Sequence, residues 1–129
     1  MLTDIAIIAT IGQLFFASSG TWTVSQSDVQ RWQYEVIGSH MVMTLVLENT
    51  STSSGMGEML FIDLPAGVPT PIDQNQIGFG HFQASGTRGM CWIQADAGHP
   101  RLVIRRADGV AWPSNKNDLH LRLQFIGAI

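Results

Sequence analysis

Charge is scarce in this 129-residue sequence: Asp, Glu, Lys and Arg together make up 13% of it, against 45% hydrophobic residues. Ordinary globular domains carry about 25% charged residues. The chain therefore exposes a sparsely charged surface or buries extra surface against copies of itself. Its net charge of −3 offers phosphates no attraction, which disfavours nucleic acid as the main partner. There is one cysteine, Cys91, so no internal disulfide can form, in keeping with synthesis in a reducing cytosol. Long hydrophobic runs are missing too. The apolar stretch 5–17 (IAIIATIGQLFFA) is interrupted by Gln13 and falls short of the ~20 residues a membrane span needs. It is preceded by Asp4 and by no Lys or Arg, whereas a secretory leader has a positive n-region. It reads instead as a structural segment, and residues 1–18 are expected to form an apolar arm that contacts a neighbouring subunit. No helical period appears after residue 20.

What is present is a series of short strands separated by turn residues. In 39–48, Met41, Met43, Leu45 and Leu47 point one way, and His40, Val42, Thr44 and Val46 the other. Both faces are rather apolar, as in a central or interface strand. Residues 49–57 (NTSTSSGMG) read as a long polar turn and 58–64 as the next strand, stopped by Pro65. The proline-bearing 66–76 must be an irregular loop. Strands follow at 78–84 and 89–94 around Ser85-Gly86-Thr87, and at 101–106 before a turn at Ala107-Asp108-Gly109. In the last strand Leu119, Leu121, Leu123 and Phe125 face in while His120, Arg122 and Gln124 face out. The expected fold is all-β: an antiparallel, jelly-roll-like β-sandwich over 19–129, with at most one short helix within 2–16.

An ordered set of motifs accompanies this pattern. Gly20-Thr21-Trp22-Thr23 is followed by Tyr34, Ile37-Gly38 and the strand at Val42, then a Ser/Thr/Gly turn, then Leu60-Phe61-Ile62-Asp63-Leu64-Pro65. Over roughly residues 19 to 65 this order resembles β-sandwich domains of bacteriophage and prophage tail-fibre proteins. Val24 stands where those domains carry proline. The resemblance implies a homotrimer that recognises a bacterial surface or glycan, virion-associated or carried on a mobile element.

Reactive-site signals are thin. His40, His81, His99 and His120 are scattered and show no metal-ligand spacing, so no metal or other cofactor is expected. Cys91 lies between Met90 and Trp92 in a strand and reads as a buried structural thiol. No G-x-S-x-G elbow and no phosphate-binding glycine motif occurs. Glu48, Glu58 and Asp63 flank one hairpin, but carboxylates without a cleft do not make a glycosidase. Arg101, Arg105 and Arg106 read as a solvated face or as ion-pair partners. Trp22, Trp32 and Tyr34 read as core or interface aromatics, and Trp92, beside Cys91 in a strand, as core. Trp112 differs, because it sits in the polar stretch 110–118 (VAWPSNKND). There it either plugs the sandwich end or stacks on a sugar, with Asn115, Asn117 and Asp118 supplying hydrogen bonds. The expectation is thus a non-enzymatic module that recognises a cell-surface ligand, carbohydrate above all, with Trp112, Asn115, Asn117 and Asp118 as its site. A purely structural oligomerisation module is the alternative, and a hydrolase with an intersubunit site the third.

Overall fold

The computed structural model describes residues 1–72, 74–96 and 99–129. Among these described residues are ten antiparallel strands: β1 (Leu2–Asp4), β2 (Phe15–Ala17), β3 (Trp22–Thr23), β4 (Val29–Ile37), β5 (His40–Thr52), β6 (Met59–Asp63), β7 (Gln76–Ala84), β8 (Thr87–Ala95), β9 (Arg101–Arg106) and β10 (Leu119–Ala128). Two single-turn 3-10 segments, Ile11–Leu14 and Gln26–Asp28, are the helical parts of the described residues. Neither is an α-helix, in keeping with the expectation of at most one short helix.

The strands follow one path, β1-β4-β5-β10-β7-β8-β9-β6-β2, and β3 pairs with the far end of β5. The sheet curls so that its ends meet. The Phe15 ring of β2 packs edge-on against Trp22 of β3, 5.4 Å between centroids, and against Trp32 of β4 at 5.5 Å. Between the facing layers lie Met41, Met43, Leu45 and Leu47 of β5, Leu60 and Ile62 of β6, Ile93 of β8, and Leu119, Leu121, Leu123 and Phe125 of β10, all buried. The inward sets read from the alternation of β5 and β10 are therefore the core sets. This is the antiparallel β-sandwich that the sequence implies.

Trp22 and Trp32 belong to that core, and each indole N–H is used. Trp22 Nε1 donates to Thr50 Oγ1 at 3.0 Å, and Trp32 Nε1 to Met43 Sδ at 3.1 Å. Burial of an indole without a partner would leave a desolvated donor, which is why both rings sit beside acceptors.

One reading of the sequence needs correction here. Residues 49–52 are strand rather than turn. Asn49 adopts φ 59°, the pairing of β5 with β10 shifts by one residue there, and the strand continues with Thr50 and Thr52 buried. Their hydroxyls donate to Leu119 O and Pro113 O, so polar side chains are buried without loss of hydrogen bonding. The N-terminal segment is woven into the sandwich of its own chain. β1 pairs with β4, β2 with β6, and Ile5, Ile11 and Phe15 are buried in the common core.

Candidate functional site

The 110–118 stretch does not present its aromatic ring. Trp112 is 1% exposed, its Nε1–H donates to Glu58 O at 3.0 Å, and it meets Phe82 edge-on at 5.1 Å. The plug alternative describes this ring; a sugar could stack on it only if the sandwich end opened. The rest of the stretch is held in place by hydrogen bonds. Asp118 accepts from the backbone N–H and the hydroxyl of Ser85, and these bonds hold its carboxyl below the usual carboxylate range. Lys116 Nζ donates to Ser85 O at 2.8 Å. Asp118 and Lys116 thereby lock the β7–β8 turn to the loop. Asn115, at φ 58°, and Asn117 remain exposed.

The exposed aromatic residues lie elsewhere, on the outer face of the sheet. Trp92 was expected in the core, but it alternates with buried Cys91 and Ile93 and so faces outward, 48% exposed. Phe79, 61% exposed, is its cross-strand partner in β7. Strand register extends this pair into a row: Arg105 (β9), Trp92, Phe79, Gln124 (β10), Thr44 (β5) and Gln33 (β4). A second row runs Met90, His81, Arg122, Val46 and Arg31. Outward residues of neighbouring strands stand about 5 Å apart, so these rows form continuous walls.

Two depressions lie along these walls and share His81 and Arg122. One, of about 380 Å³, is lined by Phe79, Met90, Thr44, Gln124 and Arg31 as well; the other, of about 210 Å³, adds Glu48, Gln83 and His120. Together they make a shallow groove with an apolar aromatic end and a polar end. Small-ligand sites combine the same two ingredients, an apolar platform and a few polar groups that fix orientation. His120 Nδ1 accepts from Asn49 N, which leaves Nε2 as the donor of the neutral ring.

Glycine makes the flat platform possible. Gly78 and Gly80 alternate with Phe79 on the inner side of β7, opposite Phe125 and Leu123. A Cβ on Gly80 would lie 2.3 Å from Arg122 O, so β7 approaches β10 more closely there than any side chain permits.

Several other titratable groups have structural partners. Arg101 pairs with Asp63 at 2.7 Å and lies over the Phe16 ring; Arg106 pairs with Asp108 at 2.6 Å and lies over Phe82. The Arg106 side-chain bond, with that of Val110 N–H, holds Asp108 below the usual carboxylate range. Burial pushes the Cys91 thiol up to about 12, so it stays protonated, as a structural thiol does. Among the described residues, no three His, Cys, Asp or Glu side chains converge on a metal-sized site, and no helix is long and apolar enough to cross a membrane.

No protein-family model matches the chain, and no curated protein matches it. Among solved structures it is similar to the carboxy-terminal domain of the turkey type 3 siadenovirus fibre, avirulent form, complexed with 3-sialyllactose. The TM-score is 0.44 and the identity 13%, with 88% of this chain and 98% of that chain covered.

Proposed function

We propose that this chain is a non-enzymatic, tail-fibre-like binding module that takes a cell-surface carbohydrate on its outer sheet face. The exposed Phe79–Trp92 pair beside Gln124, Thr44 and His81 carries this reading. A pyranose offers a C–H face to an aromatic ring and hydroxyls to the polar row next to it. Large aromatic groups left on the surface of a strand cost hydrophobic free energy unless a ligand or partner covers them. The residues of the end stretch, Trp112, Asn115, Asn117 and Asp118, give way to this groove as the main site, and Asn117 and Asp118 lie just before β10, whose His120 lines its polar end. A glycan-array screen followed by titration of the best binder tests the reading. Trp92→Ala is expected to weaken that binding by about 1–3 kcal/mol with little effect on folding, as for an exposed aromatic anchor. Unchanged affinity would remove Trp92 from the site.

The module works, in this reading, as a homotrimer. β1 is a terminal strand with an unpaired edge, and Met1, Leu2, Val36 and Ile37 around it are exposed and apolar. Cyclic association would cover this edge and close on itself. Deletion of residues 1–17 cannot test this, because it would also remove the buried Ile5, Ile11 and Phe15. The double substitution Leu2→Asp, Ile37→Asp leaves the core intact. Light scattering should then show the mass fall from three chains to one. A monomeric parent protein at micromolar concentration would reject the trimer. A trimer that binds no glycan would instead favour a structural oligomerisation module.

A further inference from the structure

The polar end of the groove has a charge pattern that constrains its ligand. Among the described residues, four of the chain's seven cationic side chains are tied into its own structure: Arg101 by Asp63 and Asp96, Arg105 by Met59 Sδ, Arg106 by Asp108, and Lys116 by Ser85 O. The two that line the groove are placed differently. Arg31 has no ion-pair partner among the described residues, and its side chain is exposed. Arg122 has one, Glu48, at 3.8 Å, well beyond the ~2.8 Å of a charge-assisted hydrogen bond. Arg31 and Arg122 both face Val46 across its two sides, so their backbones are two strand spacings apart, about 10 Å. Guanidinium groups on flexible stems at that separation can converge on a single anion or hold two edges of one sugar unit. Gln83, Gln124 and the rings of His81 and His120 add further hydrogen-bonding groups around them. A protein with a net charge of −3 thus places a local excess of positive charge beside the exposed Phe79–Trp92 pair.

We infer that the groove selects a saccharide bearing an anionic substituent, a carboxylate or a sulfate, which Arg122 and Arg31 receive while the sugar ring rests on Phe79 and Trp92. This rests on the carbohydrate-binding reading above and adds to it the charge class of the ligand. Arg122 supplies the planar two-donor fork that matches a carboxylate or one edge of a sulfate. Glu48 limits how far the Arg122 head can swing and disfavours ligands with a second negative charge at that end.

Three disaccharides test the inference by calorimetric titration: one with a terminal glucuronate, its neutral glucose counterpart, and the 6-sulfated form of the latter. The expected result is that at least one acidic sugar binds roughly tenfold tighter than the neutral one, the gain of a hydrogen bond to a charged group. That ratio should collapse toward one in Arg122→Gln and be partly restored in Arg122→Lys. Adding salt should also shrink it, since the groove is open to solvent. Arg122 is exposed, so the fold should survive, and a thermal melt of each variant checks this. Arg31→Gln gives a second reading should Arg122→Gln fold poorly. Which of the two acidic sugars is preferred distinguishes carboxylate from sulfate. Equal affinities for acidic and neutral sugars would overturn the inference while leaving the carbohydrate reading in place. An acidic preference that persists in both Arg31→Gln and Arg122→Gln would overturn it as well, by placing the anion elsewhere. If no sugar binds, or binding is indifferent to Trp92→Ala, the carbohydrate reading and the inference fail together.

Discussion

Trp112→Ala should lower the stability of the domain by about 3–5 kcal/mol, the usual cost of removing a buried tryptophan. The ring is enclosed and packs edge-on against Phe82, and the residue is fixed at both its nitrogens: the indole N–H donates to Glu58 O and the backbone N–H to Gly57 O. Alanine would leave a cavity at the sandwich end and an unsatisfied carbonyl beside it. The loss extends further, because Arg106 lies over the other partner ring, Phe82, and donates to Ala111 O next to Trp112. Domains of this size have only about 5–15 kcal/mol in total, so the melting temperature should fall by roughly ten degrees or more. Trp112→Phe keeps a ring and loses the N–H, and should cost about 1–2 kcal/mol. Glycan binding by the folded fraction should be unaffected, since the groove lies on the outer sheet face. Calorimetry and a binding titration on the same variant decide the matter. A small change in melting temperature with lost binding would return the site to the 110–118 stretch.

Gly80→Ala should be comparably severe, by about 3 kcal/mol, at the upper end of overpacking costs. The new Cβ would sit 2.3 Å from Arg122 O and 2.7 Å from Leu123 Cδ2. The Leu123 side chain can rotate, but the carbonyl belongs to the central β7–β10 ladder and cannot move without disturbing it. Gly89→Ala is the informative contrast. Its Cβ would meet only the edge of the Phe82 ring, at 3.1 Å, and a small ring adjustment relieves that. Urea unfolding midpoints at constant slope should rank Gly80→Ala well below Gly89→Ala. Because Gly80 lies between Phe79 and His81, a displaced β7 should also weaken ligand binding. Equal midpoints for the two variants would show that the sheet absorbs the extra atom without strain.

Several features of this protein are determined locally and can be read from the sequence. Alternation in β5 and β10 identifies Met41, Met43, Leu45, Leu47, Leu119, Leu121, Leu123 and Phe125 as inward, because a strand's side-chain period is two whatever it pairs with. Gly86 marks the β7–β8 turn through its φ of 83°, a conformation that glycine adopts without strain. β4 was less legible. Its pairing slips between Val29 and Arg31, so the bulge breaks the alternation of its apolar residues. β1, β2 and β3, two or three residues long, are too short to show any period.

The two tryptophans outside the motif region show what only the tertiary structure decided. Trp92 and Cys91 are neighbours of opposite parity in one strand, and the sequence does not say which parity faces the core. Pairing with β7 and β9 turns Cys91 and Ile93 inward and leaves Trp92 on the surface. Trp112 sits among polar residues, which suggested exposure, but bonds to Gly57 and Glu58, more than fifty positions away, draw it under the sandwich end. The groove has the same origin. Arg31, Val46, His81, Met90 and Arg122 are spread over some ninety residues, and only the order β4-β5-β10-β7-β8 sets them in one row. Short-range pattern fixes which residues alternate within a strand, whereas strand order and register are long-range choices made by whichever pairing buries the whole core at once.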